Sequence, residues 1–184
     1  MRQLALILAV LGLAGCGSEA AAQLPAPAGA VEGAQQAGQF SVDPAHDRLW
    51  RADGKSARTG SEPTAVALLD GGMRVAVLCG RERVLEVYDA RTLKRLGRTG
   101  AGIGPVDLTT DGAQLAYVTD VKGDALLVFH LRPRFELVRR VHVIGGPYAI
   151  RFDKSRLSIT LSKTGRTVEY VASSRPVLQA AARH

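Results

Sequence analysis

Short apolar segments separated by turn residues recur along the chain from Pro63 onward. Three stretches read PTAVALLDGGMRVAVLCG, PVDLTTDGAQLAYVTD and PYAIRFDKSRLSITLS, each an apolar segment, a turn led by aspartate and a second apolar segment. Glycine adopts positive φ at little cost and aspartate bonds its own turn backbone, which favours tight hairpins here. The pattern therefore predicts three β-hairpins, with turns at Asp70, at Asp111 and Gly112, and at Asp153.

A third strand is predicted about ten residues after each hairpin. The segments VLEVYD, ALLVFH and TVEYVA place Tyr88, Phe129 and Tyr170 at equal intervals along the chain. A weaker fourth strand follows in two of the units, around residues 93–98 and 135–141. Each unit therefore has an aromatic residue at one fixed structural position.

The prolines set the period of the repeat. Pro63, Pro105 and Pro147 are equally spaced, and each has a glycine within the three preceding positions. Four short antiparallel strands in a unit of roughly 40–45 residues are typical of a β-propeller blade. A β-sandwich is the alternative, but it has no reason to repeat proline, aspartate and an aromatic at equal offsets. We predict an all-β fold of propeller-type blades.

Two segments carry a resemblance to a known family. Residues 117–120 read YVTD and residues 87–90 read VYDA, and together with the Gly-x-x-Pro and Asp-Gly elements they resemble the YVTN or YncE-type propeller repeat over residues 60–172. The third unit departs from the pattern, with Lys154 in place of the hairpin glycine and Val171 where the first unit has Asp89. Propellers that resemble this family include sugar-lactone hydrolases and dehydrogenase-associated subunits.

The number of blades is small. A closed propeller needs about four to eight, whereas the sequence predicts about three to three and a half. Residues 40–53 predict half a blade at most, with Trp50 as its packing residue, and the C-terminal segment offers strand material only around Pro176 to Leu178. The ends could combine into a four-bladed ring, the arc could pair with a second copy, or the chain could be a shortened relative. An open or shortened array is favoured, which predicts self-association through open blade edges.

The N-terminus predicts export and lipid attachment. Arg2 precedes an apolar run over residues 4–14, too short to span a bilayer. The following LAGC, ending at Cys16, resembles the bacterial lipobox, so we expect cleavage before Cys16 and its acylation. A plain signal peptide with an incidental cysteine, or a buried helix, is the alternative.

These features divide the chain into three parts. Residues 1–15 are the signal peptide, 16–39 the lipidated cysteine with an Ala/Gly/Pro-rich tether, and 40–184 the repeat domain. The expected location is the bacterial cell envelope, lipid-anchored at the outer membrane, in the periplasm or on the cell surface. The expected partner there is the membrane itself, contacted through the lipid.

Basic residues are concentrated in the last third of the chain. The formal net charge is +7, and residues 132–184 carry 11 basic but 3 acidic side chains. Such a surface attracts anionic lipids or polymers, although solvated strand positions would give the same bias. Aromatic residues are 5% of the chain and no nucleic-acid reader motif is present, so nucleic-acid binding is not expected.

The sequence contains no pattern for catalysis or metal binding. The four histidines, His46, His130, His142 and His184, have no metal-ligand spacing, and no GxSxG motif occurs. Cys79 lies in an apolar run and is interpreted as a small buried side chain. No catalytic residue, metal or cofactor is predicted.

The expected function is therefore a non-catalytic binding or scaffold module, anchored in the envelope, for a protein or glycan partner. Two alternatives stay open. The chain could bind anionic envelope polymers or lipids electrostatically, or it could be a shortened relative of a propeller enzyme such as a lactonase.

Overall fold

The computed structural model describes residues 36–172 and 178–180, which form four antiparallel sheets of four strands each. Sheet 1 contains β1 (Gln36–Ala37), β2 (Phe40–Asp43), β3 (Arg48–Arg51) and β4 (Ser56–Arg58). Sheet 2 contains β5 (Pro63–Leu69), β6 (Arg74–Cys79), β7 (Val84–Asp89) and β8 (Arg95–Gly100). Sheet 3 contains β9 (Pro105–Thr110), β10 (Leu115–Asp120), β11 (Ala125–His130) and β12 (Glu136–His142). Sheet 4 contains β13 (Pro147–Asp153), β14 (Arg156–Leu161), β15 (Thr167–Ala172) and β16 (Leu178–Ala180).

The apolar runs occur in strands whose sheet packs against a neighbouring sheet on each of its two faces. In β6, Val75, Val77 and Cys79 join the core against sheet 1, whereas Ala76 and Leu78 join the core against sheet 3. Successive side chains of a strand point to opposite faces. A strand covered on both faces is therefore apolar at successive positions, as β6 is from Val75 to Cys79.

Three hydrophobic cores lie between successive sheets. One joins sheets 1 and 2, the second joins sheets 2 and 3, and the third joins sheets 3 and 4. The strand contacts follow the same order: β1 and β2 pack on β5, β5 and β6 on β9, and β9 and β10 on β13. Within the described residues, no comparably extensive strand packing joins sheet 4 to sheet 1. As far as the structure describes the chain, the four sheets form an open series.

The prediction of an all-β fold with four-stranded antiparallel sheets of the propeller type is confirmed. The described residues form four sheets, however, whereas the sequence predicts about three to three and a half blades. The segment predicted as half a blade belongs to a complete four-stranded sheet. Its hairpin of β2 and β3 gains the short strands β1 and β4, which pair along its two edges. β1 falls within the residues that the sequence assigns to the tether.

Trp50 is not the packing residue of sheet 1. Leu49 fills that position and is fully buried, while Trp50 points to the opposite face and is 37% exposed. The Arg48 guanidinium lies 6.0 Å from the centre of the Trp50 ring. Strand alternation explains this arrangement, because Leu49 pairs with the buried Val42 and the next residue points to the other face.

Residues 70–72 form a short 3-10 turn. In the part of the chain that the structure describes, no helix has the length and apolar character needed to cross a bilayer.

Candidate functional site

The loops between sheets and the loops after each second strand meet at one end of the array. The backbone N–H of Gly80 donates to the carbonyl of Glu62 at 2.9 Å, and that of Val121 donates to the carbonyl of Gly104 at 2.9 Å. We name this surface the loop face; it comprises residues 43–47, 59–62, 80–83, 101–104, 121–124, 143–146 and 162–166.

Buried and half-buried carboxylates fix the connecting loops of this face. Asp120, which is fully buried, accepts N–H groups from Ile103 at 3.0 Å and Gly104 at 2.7 Å. Asp124 accepts N–H groups from residues 145 and 146 at 3.2 and 2.8 Å. The hydrogen bond from the second of these glycines is the main cause that lowers the pKa of Asp124. These acids are therefore committed to holding the loops.

Glu86 has a similar structural role beneath the first inter-sheet loop. Its carboxylate is fully buried and accepts hydrogen bonds from the Gly60 N–H at 3.0 Å and the Tyr88 hydroxyl at 2.6 Å. Arg95 pairs with its other oxygen at 2.7 Å. Burial raises the pKa of the neighbouring Cys79 thiol to about 12. A thiol of this kind is not a thiolate nucleophile at neutral pH.

A groove opens on the loop face between sheets 2 and 3, with a volume of about 550 Å³. Its charged and polar walls are formed by Glu62, Thr64, Arg81, Arg83 and Lys122, and its apolar walls include Ile103, Pro105, Val106 and Val121.

The cations of the groove differ in how they are engaged. Arg81 pairs with Glu62 at 3.4 Å. Within the described residues, the side chains of Arg83 and Lys122 have no hydrogen-bond or ion-pair partner and are exposed. The groove therefore offers two uncommitted positive charges beside apolar side chains, which suits an anion attached to an apolar or neutral body.

A second cavity, of about 560 Å³, lies between sheets 1 and 2 at the opposite end of the array. Its arginine is already engaged: Arg51 donates to the carbonyls of Ala90 and Arg91, each at 2.7 Å. Arg51 also pairs with Asp53 at 2.7 Å, and this hydrogen bond lowers the pKa of Asp53 to about 2. These contacts fasten sheet 1 to sheet 2, so this cavity is the weaker candidate.

The prolines predicted as repeat markers lie at the loop-face end. Pro63, Pro105 and Pro147 are the first residues of β5, β9 and β13, and Pro105 lines the groove. Cys16, the predicted site of lipid attachment, lies outside the described residues.

The predicted turn residues lie at the opposite end. Asp111 accepts the N–H groups of Ala113 and Leu115 at 2.8 and 3.0 Å, and Gly112 has φ of +75°. Asp153 ends β13 before a turn in which Lys154 and Ser155 have positive φ.

Asp70 has a role beyond its turn. Its carboxylate pairs with Arg74 at 3.1 Å within sheet 2 and with Arg132 at 3.1 Å from sheet 3. The pair with Arg132 joins two sheets at the end opposite the loop face.

The histidines of the described residues are dispersed. His46 lies 2.7 Å from Asp43, and His130 lies 3.0 Å from the side chain of Gln114. No group of three or more His, Cys, Asp or Glu side chains placed to hold a metal occurs in residues 36–172 and 178–180.

The groove residues are not among those predicted from the sequence, although the repeat contains a signal for them. Arg81, Lys122 and Lys163 recur at the same interval as the predicted aromatics, and each lies in the loop after the second strand of its sheet. Applying the repeat period to charged residues would have identified this basic series.

Comparisons with known proteins support the fold. No family model matches the chain, and no curated protein matches it. Several solved structures are similar to the chain. Hydrazine synthase of Kuenenia stuttgartiensis has 18% identity and a TM-score of 0.61 over 72% of this chain. A "putative 6-phosphogluconolactonase" of Bacteroides uniformis has 14% identity and a TM-score of 0.66 over 77% of the chain. The dihydro-heme d1 dehydrogenase NirN has 16% identity and a TM-score of 0.66 over 78%.

These similarities define the class of fold, which is a propeller-type array of four-stranded sheets. The chain covers only 41%, 49% and 34% of the lengths of those three structures, respectively. At this level of identity the likeness concerns the fold alone, so the activities of those proteins are not assigned to this chain.

Proposed function

We propose that this chain is a non-catalytic binding module, anchored in the bacterial envelope, that holds an anionic partner in the groove of the loop face. The observation that carries the proposal is a pair of cations beside the exposed Ile103, namely Arg83 and Lys122, which have no partner among the residues that the structure describes. Opposite charge attracts the partner, and the adjoining apolar walls bind the part of it that carries no charge. The resemblance of residues 60–172 to YVTN-type repeats agrees with a role in binding.

Three acids of the loop face pair with cations other than Arg83 and Lys122, and one of them is Glu62, which pairs with Arg81. Glu82 pairs with Arg98 at 2.7 Å, and Asp124 pairs with Lys163 at 3.6 Å. Because these carboxylates already have internal partners, the two free cations of the groove remain available to an external anion.

The groove is tested by equilibrium binding of a fluorescent polyphosphate probe at low and physiological salt. We expect the double variant Arg83→Ala/Lys122→Ala to bind up to about 25-fold more weakly, since an exposed ion pair contributes up to about 1 kcal/mol, or fivefold. The matched control is Arg91→Ala/Lys94→Ala, which removes the same charge from the opposite end. Equal losses in the two double variants would show that net charge, and not the groove, attracts the probe.

Envelope anchoring is supported by the signal-like N-terminus and the lipobox-like LAGC. It is tested by labelling cells that express the full chain with radioactive palmitate. We expect label on the wild-type chain and on Cys79→Ser, but none on Cys16→Ser. Label that persists in Cys16→Ser would contradict lipid attachment at that residue.

A shortened relative of a propeller hydrolase is the second candidate, favoured by the fold similarity to the lactonase-like structure. It predicts hydrolysis of a sugar lactone by the purified chain, followed by proton release. A rate indistinguishable from spontaneous hydrolysis would exclude this candidate for the lactones assayed.

A further inference from the structure

Two isoleucines project from the loop face at equivalent positions of the repeat. Ile103 and Ile144 are separated by one repeat interval, in the loops that join sheets 2 and 3 and sheets 3 and 4. They are 51% and 72% exposed, so the cores do not account for them. Their loops are held in place, because Asp120 accepts the Ile103 N–H at 3.0 Å and Asp124 accepts both N–H groups of residues 145–146.

Basic side chains recur on the same surface with the same period. Arg81, Lys122 and Lys163 occupy equivalent loops of sheets 2, 3 and 4, and Arg83 adds a further cation beside the first. Arg81 and Lys163 are paired with Glu62 and Asp124, so the described part of the loop face combines exposed apolar side chains on fixed loops with two unpaired cations, Arg83 and Lys122.

We propose that the loop face docks on an anionic lipid surface, with Ile103 and Ile144 in the interface and Arg83 and Lys122 at the headgroups. The inference rests on the proposed function, because it names the anionic partner of the same site. Apolar side chains enter the boundary between headgroups and acyl chains, while Lys and Arg are attracted to anionic headgroups. A soluble polyanion would engage the cations but would leave both isoleucines in water, so a lipid surface accounts for more of the structure.

The direction of the first strand agrees with this orientation. β2 ends at Asp43 in the loop face, and β1 runs antiparallel to β2, so β1 starts on the loop-face side. About 20 residues separate Cys16 from Gln36, and a chain of that length can span at most about 70 Å. The anchor and the loop face can therefore contact the same membrane.

The test is co-sedimentation with vesicles of phosphatidylcholine alone or mixed with phosphatidylglycerol. The protein used lacks residues 1–15, which lie outside the described fold, and carries Cys16→Ser so that no lipid contributes. We expect binding only to the mixed vesicles. Removing Arg83 and Lys122 together should weaken it by about 25-fold, since each charge near such a surface contributes about fivefold.

The isoleucines distinguish insertion from attraction alone. We expect Ile103→Ser/Ile144→Ser to weaken binding to mixed vesicles at least about tenfold, because two buried apolar side chains are lost from the interface. The matched control Leu137→Ser/Val138→Ser changes two similarly exposed residues of β12, 47% and 41%, and should leave binding unchanged. Circular dichroism of each variant confirms that it remains folded.

The outcomes separate this inference from the proposed function. Vesicle binding by the isoleucine variant that equals the wild type overturns the placement of Ile103 and Ile144 in the lipid interface, and with it this inference. Binding of polyphosphate without binding of vesicles overturns the inference but leaves the proposed function standing. Failure to bind either probe overturns both.

Discussion

Asp107 provides a prediction that links one buried side chain to the pH dependence of stability. It lies in β9, is 6% exposed, and accepts N–H groups from Leu108 at 2.8 Å and from Ile150 of sheet 4 at 2.9 Å. Burial raises its pKa from 3.8 to about 6, although both hydrogen bonds act in the opposite direction. The folded protein therefore binds a proton at this carboxyl more readily than the unfolded chain does.

The size of the effect follows from the shift. A change of about two pKa units corresponds to about 3 kcal/mol at roughly 1.36 kcal/mol per unit. Above pH 6 the carboxylate is charged in both states, and its burial costs the folded state this amount. Between pH 6 and 4 the folded state holds the proton and the unfolded state does not, so stability rises as the pH falls. At pH 4.5 the free energy of unfolding is therefore about 2 kcal/mol higher than at pH 7 as far as this carboxyl is concerned.

The assay compares urea unfolding of the wild type and Asp107→Asn at pH 7 and pH 4.5, followed by far-ultraviolet circular dichroism. Asparagine accepts through only one oxygen, so the variant loses one hydrogen bond at both pH values. Other carboxyls have a lowered pKa, such as those of Asp53 and Asp124, and their protonation in acid destabilises the folded protein. This loss is equal in the wild type and the variant. Only the difference between the two proteins therefore reports on Asp107.

We expect the free energy of unfolding of the wild type to rise, relative to that of Asp107→Asn, by about 2 kcal/mol on going from pH 7 to pH 4.5. The exposed Asp153→Asn serves as the control and should show no comparable shift. A difference that stays constant to within about 0.5 kcal/mol would refute the assignment of a raised pKa to this burial.

Two further predictions follow from local geometry. In a Cys16→Ser background, Cys79 should react with a thiol reagent only after denaturation, because burial raises its pKa to about 12; rapid labelling of the folded protein would contradict this. Gly102 has φ of +106°, and a Cβ there would lie 2.5 Å from a carboxylate oxygen of Asp120. Gly102→Ala should therefore lower the free energy of unfolding by about 1–3 kcal/mol. The control Gly112→Ala, where φ is positive but the space is open, should cost less, and equal thermal shifts would show that the contact with Asp120 is unimportant.

The repeat could be predicted because its determinants are local. The Asp111-Gly112 turn and the equally spaced prolines depend only on nearby backbone geometry, and they mark the strand positions of sheets 2 and 3. Sheet 1 was harder to predict from the sequence, because β4 has the sequence SAR and shows no apolar pattern. Its existence depends on pairing with β3, where Ser56 lies opposite Trp50.

The site depends on contacts between sheets, which sequence spacing does not specify. Asp70 could be identified as a turn residue, but its ion pair with Arg132 joins residues that are distant in the chain. Asp120 belongs to the YVTD segment, yet its use as an acceptor for the loop at residues 103–104 is visible only in three dimensions. The period of the basic residues could have been found, whereas their place beside Ile103 could not.

The three cores between the four sheets bury the two inner sheets more completely than the two outer ones. Among residues 36–172 and 178–180, sheets 2 and 3 are covered on both faces, whereas sheets 1 and 4 each share one core. In a series of this kind, each unit is stabilised chiefly by its neighbours, so opening a terminal unit costs less than opening a central one. Amide hydrogens of β2 and β15 should therefore exchange with solvent before those of β6 and β10, and unfolding should spread inward from the two ends.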